Sequence, residues 1–375
     1  MLVVGLDGAS WKILDPLMEG GYVPTLERLV SSGVKADLDC EPAYPPQSCF
    51  CPPVWQSIVT GQPATVHRVF NFGTPSTNRR SPTLWDVVHE YGGKSTLVDL
   101  HNTWPADPSA EIVVTEPGVE IFTGVLYESS SSLDSGPIFD QPDTWTKPSD
   151  LFEQLGFHED ERGGHAWFPM AKDRVSMTFL ERLAALKRDT PMFARKREFD
   201  MVLLHSPDRS MHLTWPGFQP EPGGPLDVEQ LYEFADRWDA PFSSPPPFNW
   251  GTVASQLIEA DRRLATLLEI LDYDYVVLLS DHGMATIPGA TPPANHNVPE
   301  AFAGIFAVTG EGVRQGVTLP EMSVLDVAPT LAYLLGVPIA DDLPGRFAEE
   351  AMEPLVLEAI PPRRTATWDS ALPFD

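Results

Sequence analysis

An α/β fold built on a mostly parallel sheet covered by helices is what this sequence predicts, and two observations carry the prediction. Short β-rich apolar runs alternate with helical patterns along the chain, as expected when crossover helices connect parallel strands. Three of the runs also end in the same kind of chemistry. Asp7 follows the run 2–6, Asp208 follows 201–205, and Asp281 with His282 follows 275–280. In open α/β sheets the ligand crevice lies outside the carboxyl ends of the strands, so strand pairing would gather these residues from distant parts of the chain.

Further strands are read at 96–100 and 304–308. Val253, Leu257, Leu264 and Leu268 mark the apolar face of a long helix between the strands at 201–205 and 275–280. Another helix follows Asp326, through Leu331 and Leu335, to a stop at Gly336 and Pro338. The segment 101–198 differs: 129–132 is a polar run, and Pro, Gly and acidic residues break the periodicity. We therefore expect a core from 1–100 and 199–360, with 101–198 inserted as a cap or lid. A second irregular stretch, 216–247, is too long for a simple connector, and aromatics crowd in and around it: Trp215, Phe218, Trp238, Phe242 and Phe248. It either walls a substrate pocket or packs on the surface. The tail 361–375 is polar and expected to be loosely held.

Composition excludes several classes. At 375 residues the chain is long enough for one large α/β domain with an insertion. No apolar run approaches the roughly 18 to 20 residues of a membrane span. The run 2–6 lacks a basic flank and is broken by Asp7 and Gly8, so no secretory signal is read and a cytoplasmic location is expected. A formal charge of -28, from 53 acids against 25 bases, argues against a nucleic-acid polymer, and a small substrate fits better. Cys40, Cys49 and Cys51 fall in one short stretch and are odd in number, which argues against a disulfide framework.

Clustered carboxylates repel one another unless cations hold them, and Asp with His side chains suits Zn²⁺. Taken singly, an Asp after a strand is a turn residue or helix cap; the joint occurrence is what points to metal. Asp208 and His212 have the D-x3-H spacing that puts both on one face of a helical turn. Asp281 and His282 are adjacent, so both reach one ion only from a turn, which Gly283 eases. Cys51 precedes two prolines suited to a helix opening, and a helix N-terminus favours anions and lowers a thiol's pKa. The alternative for Cys51 is a buried structural cysteine.

These residues, taken together, resemble the type I phosphodiesterase/nucleotide pyrophosphatase branch of the alkaline phosphatase superfamily. The likeness runs through Gly5-Leu-Asp-Gly-Ala9, Pro24-Thr-Leu-Glu-Arg-Leu29, the Pro-Pro-Val-Trp segment with Thr60-Gly61 and His67, Pro207-Asp-Arg-Ser-Met-His212 and Ser280-Asp-His-Gly-Met284. It continues through Asn295-His296 and Leu325-Asp-Val-Ala-Pro-Thr330 to Leu335-Gly-Val-Pro338.

The resemblance implies an alkaline-phosphatase-like three-layer α/β/α sandwich with an inserted cap. It assigns Asp7, Asp281 and His282 to one divalent ion, and Asp208, His212 and His296 to a second, both expected to be zinc. His67 matches a family histidine but reads as a support behind the ligands or a structural residue rather than as a ligand. The attacking residue of the family, commonly Thr or Ser, aligns with Cys51, which as a thiolate would also be a soft zinc ligand. Related sulfatases convert such a cysteine to formylglycine on a signal needing Pro two and Arg four positions on; Pro53 meets the first condition and Trp55 fails the second. An Asn that nucleotide pyrophosphatases carry three residues after the nucleophile is Val54 here. The implied function is a metal-dependent hydrolase of phosphate monoesters or diesters of a small organic molecule, acting by two-zinc in-line displacement. Alternatives are a sulfate, sulfamate or phosphonate ester hydrolase, a phosphoryl or sulfuryl transferase, or a non-catalytic zinc-binding relative.

Overall fold

The strand Leu2–Leu6 (β1) is apolar at every position but its glycine and is buried throughout, the pattern of a strand covered on both faces. In the computed structural model it lies at the centre of the sheet. The structure describes residues 1–44, 49–114, 167–189, 198–219, 224–236, 253–287, 289 and 294–373. The other strands of the main sheet are Val34–Asp39 (β2), Lys94–Val98 (β3), Ile112–Val114 (β4), Glu198–Leu204 (β5) and Tyr275–Leu279 (β6). After a two-stranded ribbon of Ala285–Thr286 (β7) and Ala294–Asn295 (β8) come Ala303–Gly310 (β9), Val317–Thr318 (β10) and Met322–Ser323 (β11).

The sheet order is β10-β2-β9-β6-β1-β5-β3-β4, with β11 also on β2. Among the described residues of this sheet only β9 runs antiparallel, to both β2 and β6. Leu6 pairs with Leu204 of β5 on one side of β1, and Gly5 with Leu279 of β6 on the other. The carboxyl ends of β5, β1 and β6 therefore stand side by side.

Alternation along β1 divides the core in two. Val3 joins Leu203 and Leu279 beneath Trp55, Trp85, Val327 and Leu331. Leu2, Val4 and Leu6 join Ile13, Leu180, Trp215, Leu257 and Leu264 on the opposite face. Helices thus cover the sheet on both sides, giving three layers.

The helix Val253–Ile270 buries Val253, Leu257 and Leu264 as their spacing predicts. The helix Val327–Leu334 stops before Gly336, which adopts a positive φ of 66°. Within 101–198, strand β4 extends the sheet, and the helix Trp167–Asp189 buries Met177, Phe179, Leu180, Leu183 and Ala184 in the second core cluster. The run 129–132 lies outside the described residues.

Several expectations are corrected. The stretch 216–247 contains a helix, Val228–Asp236, because Leu231 and Ala235 recur four residues apart and are both buried. Trp215 walls no pocket: it is fully buried in the second core cluster, its Nε1–H donating to Gln219 Oε1 at 2.9 Å. Trp238, Phe242 and Phe248 lie outside the described residues. The tail is docked rather than loose. Arg364–Thr365 pairs with Ile339–Ala340, and buried Trp368 donates from Nε1 to the Pro338 carbonyl at 2.8 Å. Cys40 and Cys49 are joined as a disulfide, their Cα atoms 5.6 Å apart. Among the described residues no helix is long and apolar enough to cross a membrane.

Candidate metal centre

Asp7 is the first residue beyond β1, and its N–H still donates to the Leu204 carbonyl at 3.0 Å, so the parallel pairing delivers its side chain to the crevice. Asp281 and His282 follow β6 in the same way. Gly283 serves here by close approach rather than by unusual φ: a Cβ would stand 3.0 Å from the Ala303 carbonyl oxygen and 3.1 Å from Ser10 Cβ. Gly8, at φ +75°, lets this turn lie against the next element, since a Cβ there would meet the Asp208 Cα at 3.0 Å.

Asp208 and His212 sit one turn apart on the helix Ser206–Phe218, which opens with Pro207 in its first turn. That opening is held from outside: the Asp173 carboxylate accepts from the N–H groups of His205 at 3.1 Å and Ser206 at 3.0 Å, and from the Ser206 hydroxyl. His296 follows the short ribbon strand β8. Cys51 is the first residue of the helix Cys51–Thr60.

The structure brings all seven of these residues together. Donor atoms of Asp7, Cys51, Asp281 and His282 lie within 4.8 Å of one another, as do those of Asp208, His212 and His296, and those of Cys51, His282 and His296. Cys51 and the His282–His296 pair join the two groups, the imidazoles being stacked with centroids 3.8 Å apart.

Tautomers follow from the partners. His282 Nδ1 faces the Gly283 carbonyl at 2.9 Å, His212 Nδ1 the Ala294 carbonyl at 2.9 Å, and His296 Nδ1 the Cys49 carbonyl at 2.7 Å. A carbonyl only accepts, so each Nδ1 carries the proton and each Nε2 turns a lone pair into the crevice. There the lone pairs meet other acceptors: His282 Nε2 is 3.3 Å from Asp281 Oδ2 and 3.7 Å from Asp7 Oδ1, and His212 Nε2 is 3.5 Å from Asp208 Oδ1. Asp7 Oδ1, Asp208 Oδ1 and Asp281 Oδ2 are buried with no hydrogen-bond partner. Buried acceptors facing acceptors are costly unless cations lie between them, and carbonyl-anchored imidazoles are the usual support of metal-binding histidines. This donor set fits divalent cations.

The electrostatics agree. Burial, then the charges of Asp7 and Asp208, pushes the Asp281 carboxyl well above its ordinary range; burial and Asp7 likewise raise Asp208. Burial, then neighbouring His296, holds His282 well below the usual imidazole value. The expectation that the helix N-terminus lowers the Cys51 pKa is reversed: burial, followed by the charges of Asp7, Asp281 and Asp208, drives the thiol well up. Nearby cations would invert that balance.

Sequence reasoning missed two residues at the site. His205 Nδ1 stands 3.2 Å and His101 Nε2 3.7 Å from Asp7 Oδ2, and these three side chains form a further group whose donors lie within 4.8 Å of one another. Burial alone would raise Asp7, but the imidazoles of His101 and His205 beside it outweigh that and hold the carboxyl well below its ordinary range. The missed signal was the one used for Asp7: His101 and His205 also stand at the carboxyl ends of expected strands. His67 lies apart, its Nδ1 accepting from the Val69 N–H at 3.1 Å and its Nε2 3.1 Å from Ser57 Oγ.

The family model for type I phosphodiesterase/nucleotide pyrophosphatase matches residues 1–334. No curated protein matches the chain. Among solved structures, wild-type alkaline phosphatase PafA superposes with a TM-score of 0.64 at 10% identity, covering 94% of this chain and 98% of that one. Murine ectonucleotide pyrophosphatase/phosphodiesterase 5 superposes at 0.51 with 14% identity, covering 94% of this chain and 100% of its own. Phosphonate monoester hydrolase from Silicibacter pomeroyi gives 0.50 and 15% identity, with 94% and 76% covered. At these identities the neighbours establish the alkaline-phosphatase-like fold, while the family match covers most of the chain. The chain is a hydrolase belonging to the type I phosphodiesterase/nucleotide pyrophosphatase family.

Proposed function

We propose that this chain hydrolyses phosphate monoesters or diesters of a small organic molecule, using two divalent cations, zinc by preference, with Cys51 at the nucleophile position. One observation carries the reading: three imidazoles commit their Nδ1–H groups to carbonyls and turn Nε2 toward buried carboxylates and a thiol. Asp7, Asp281 and His282 would hold one ion, and Asp208, His212 and His296 the other, with Cys51 in reach of both. Carboxylate, imidazole and thiolate together suit zinc.

When bound, such ions supply positive charge that favours the thiolate and stabilises charge on a transferring phosphoryl group. The helix Cys51–Thr60 aims its N-terminus at the same point, orienting an anionic substrate over Sγ. The Cys51 thiolate attacks phosphorus in line, forming an S–P bond as the P–O bond to the leaving group breaks. Water then cleaves the S–P bond, releasing phosphate or a monoester and restoring the thiolate. The strongly acidic surface disfavours polyanionic substrates, so the ester is of a small molecule.

A second reading has its own support. Cys51 Sγ is 3.3 Å from His282 Nε2 and belongs to two donor groups, which favours a ligand role with water as the attacking group. The test is a zinc-supplemented assay of chromogenic phosphate monoester, phosphate diester and sulfate ester, with a chelator control. Turnover of the phosphate esters that stops on chelation is expected. Faster turnover of the sulfate ester, or phosphate turnover that survives complete metal removal, would refute the proposal.

A further inference from the structure

Between β2 and the Cys51 helix lies a feature that the proposed chemistry leaves unused. The Cys40–Cys49 disulfide is rooted in the sheet at one end: Asp39 pairs with Ala303 at the last register of β2 and β9, and the Cys40 N–H donates to the Phe302 carbonyl at 3.3 Å. At the other end it reaches the metal centre. The Cys49 carbonyl accepts from His296 Nδ1 at 2.7 Å, and the Cys51 helix begins two residues later. Unlike Asp208 and His212, His296 is borne by no helix; it follows the two-residue strand β8, so its ring orientation leans on the Cys49 carbonyl. A carbonyl partner of this kind sets both the tautomer and the aim of a metal-binding imidazole.

Resting on the two-metal reading, we propose that the Cys40–Cys49 disulfide is a positioning device for the second metal ion, holding the Cys49 carbonyl where it orients His296. Opening the bridge separates the two consequences of that anchor. A phosphine attacks one sulfur, the S–S bond breaks, the other sulfur leaves as a thiolate, and water supplies the oxygen of the phosphine oxide and the protons of the two thiols. Cys40 Sγ lies 3.1 Å from the Phe302 carbonyl in the bridged form, so a freed thiol could donate there and the β2 end would keep a partner. Cys49 is then untethered and its carbonyl no longer constrains His296. Asp7, Asp281 and His282, which would hold the first ion, come from the carboxyl ends of β1 and β6, and Cys51, two residues beyond the bridge, is fixed by its own helix.

The experiment is a zinc titration of the full chain against a chromophoric competing chelator, in oxidised protein and after phosphine treatment. Two equivalents are expected in the oxidised form; after reduction the first keeps its affinity while the second weakens about 10- to 100-fold, and reoxidation restores it. The double variant Cys40→Ser/Cys49→Ser keeps every backbone carbonyl but cannot close the bridge. It is expected to bind the second ion weakly under both conditions, and it prevents the freed thiols from taking zinc themselves. A second equivalent of equal affinity in oxidised and reduced wild type overturns the proposal, as does a peptide map showing Cys40 and Cys49 as thiols in oxidised protein. The wild-type comparison decides even if the double variant fails to fold. Absence of zinc binding in every form would mean that the two-metal reading itself has failed, whereas two equal equivalents in every form would remove only the positioning role.

Discussion

Cys51 Sγ lies 3.3 Å from His282 Nε2, while the opposite nitrogen of that imidazole is tied to the Gly283 carbonyl at 2.9 Å. The thiol S–H can donate to that Nε2 lone pair, and a cation bound there would displace the proton; removing the side chain separates its two possible roles. As nucleophile, Cys51→Ala should cost about 1,000-fold or more in kcat with the zinc content kept. Cys51→Ser, a hydroxyl in the place family members give to Ser or Thr, should keep measurable phosphatase turnover. Full activity in Cys51→Ala would remove the nucleophile role, and weakened zinc binding without loss of kcat would assign the thiol to coordination.

Loading the centre with metal should release protons. Burial and mutual repulsion raise Asp281 and Asp208, and burial with the three carboxylates raises Cys51, so the metal-free centre binds protons that cations displace. The sign follows from the direction of these shifts: groups held protonated above their ordinary range become ionised when a positive charge arrives. Zinc added to chelator-stripped protein in weak buffer at neutral pH should acidify the solution, as an indicator dye would record. Zinc binding without proton release would show that the carboxylates and the thiol are already ionised in the metal-free protein.

The contrast between what was legible and what was not has physical causes. Strands β1, β5 and β6 stood out because their apolar runs are buried on both faces, and their ends marked Asp7, Asp208, Asp281 and His282 for the same reason. Strand β2 was overlooked because Lys35, Asp37 and Asp39 alternate with its buried residues and mimic a surface loop. His296 came from the family resemblance alone; its position depends on the Cys49 carbonyl, a contact across 247 residues that no local pattern encodes. The disulfide was misread because parity of cysteines says nothing about Cα separation, whereas the fold places Cys40 and Cys49 with Cα atoms 5.6 Å apart and leaves Cys51 free and buried.

His67 should make stability depend on pH from outside the metal centre. Burial, reinforced by the Arg79 charge, lowers its pKa from 6.5 to about 3, so the folded protein keeps the imidazole neutral while the unfolded chain protonates it below 6.5. The unfolded state then binds the extra proton, and the native state loses about 1.4 kcal/mol per pH unit from 6.5 down toward 3, with no contribution above that window. His67→Gln has no such titration. Denaturant unfolding at pH 7, 6, 5 and 4 should show a steeper decline for wild type than for the variant; equal slopes would place the proton on His67 in the folded protein as well.

Asp173 links the helix Trp167–Asp189 to the proposed second metal site, because its carboxylate satisfies the opening N–H groups of the helix that carries Asp208 and His212. In Asp173→Ala those buried donors lose an acceptor, at about 1 to 3 kcal/mol for unsatisfied groups of this kind. Because the helix begins at Ser206 and Asp208 lies within its first turn, the disturbance reaches the carboxylate before it reaches the sheet. The variant should therefore lose second-ion affinity in a zinc titration, alongside a lower denaturation midpoint. Asp173→Asn, which keeps one carbonyl acceptor, should recover part of both. A fall in global stability with zinc affinity untouched would confine Asp173 to capping the helix and separate it from the metal.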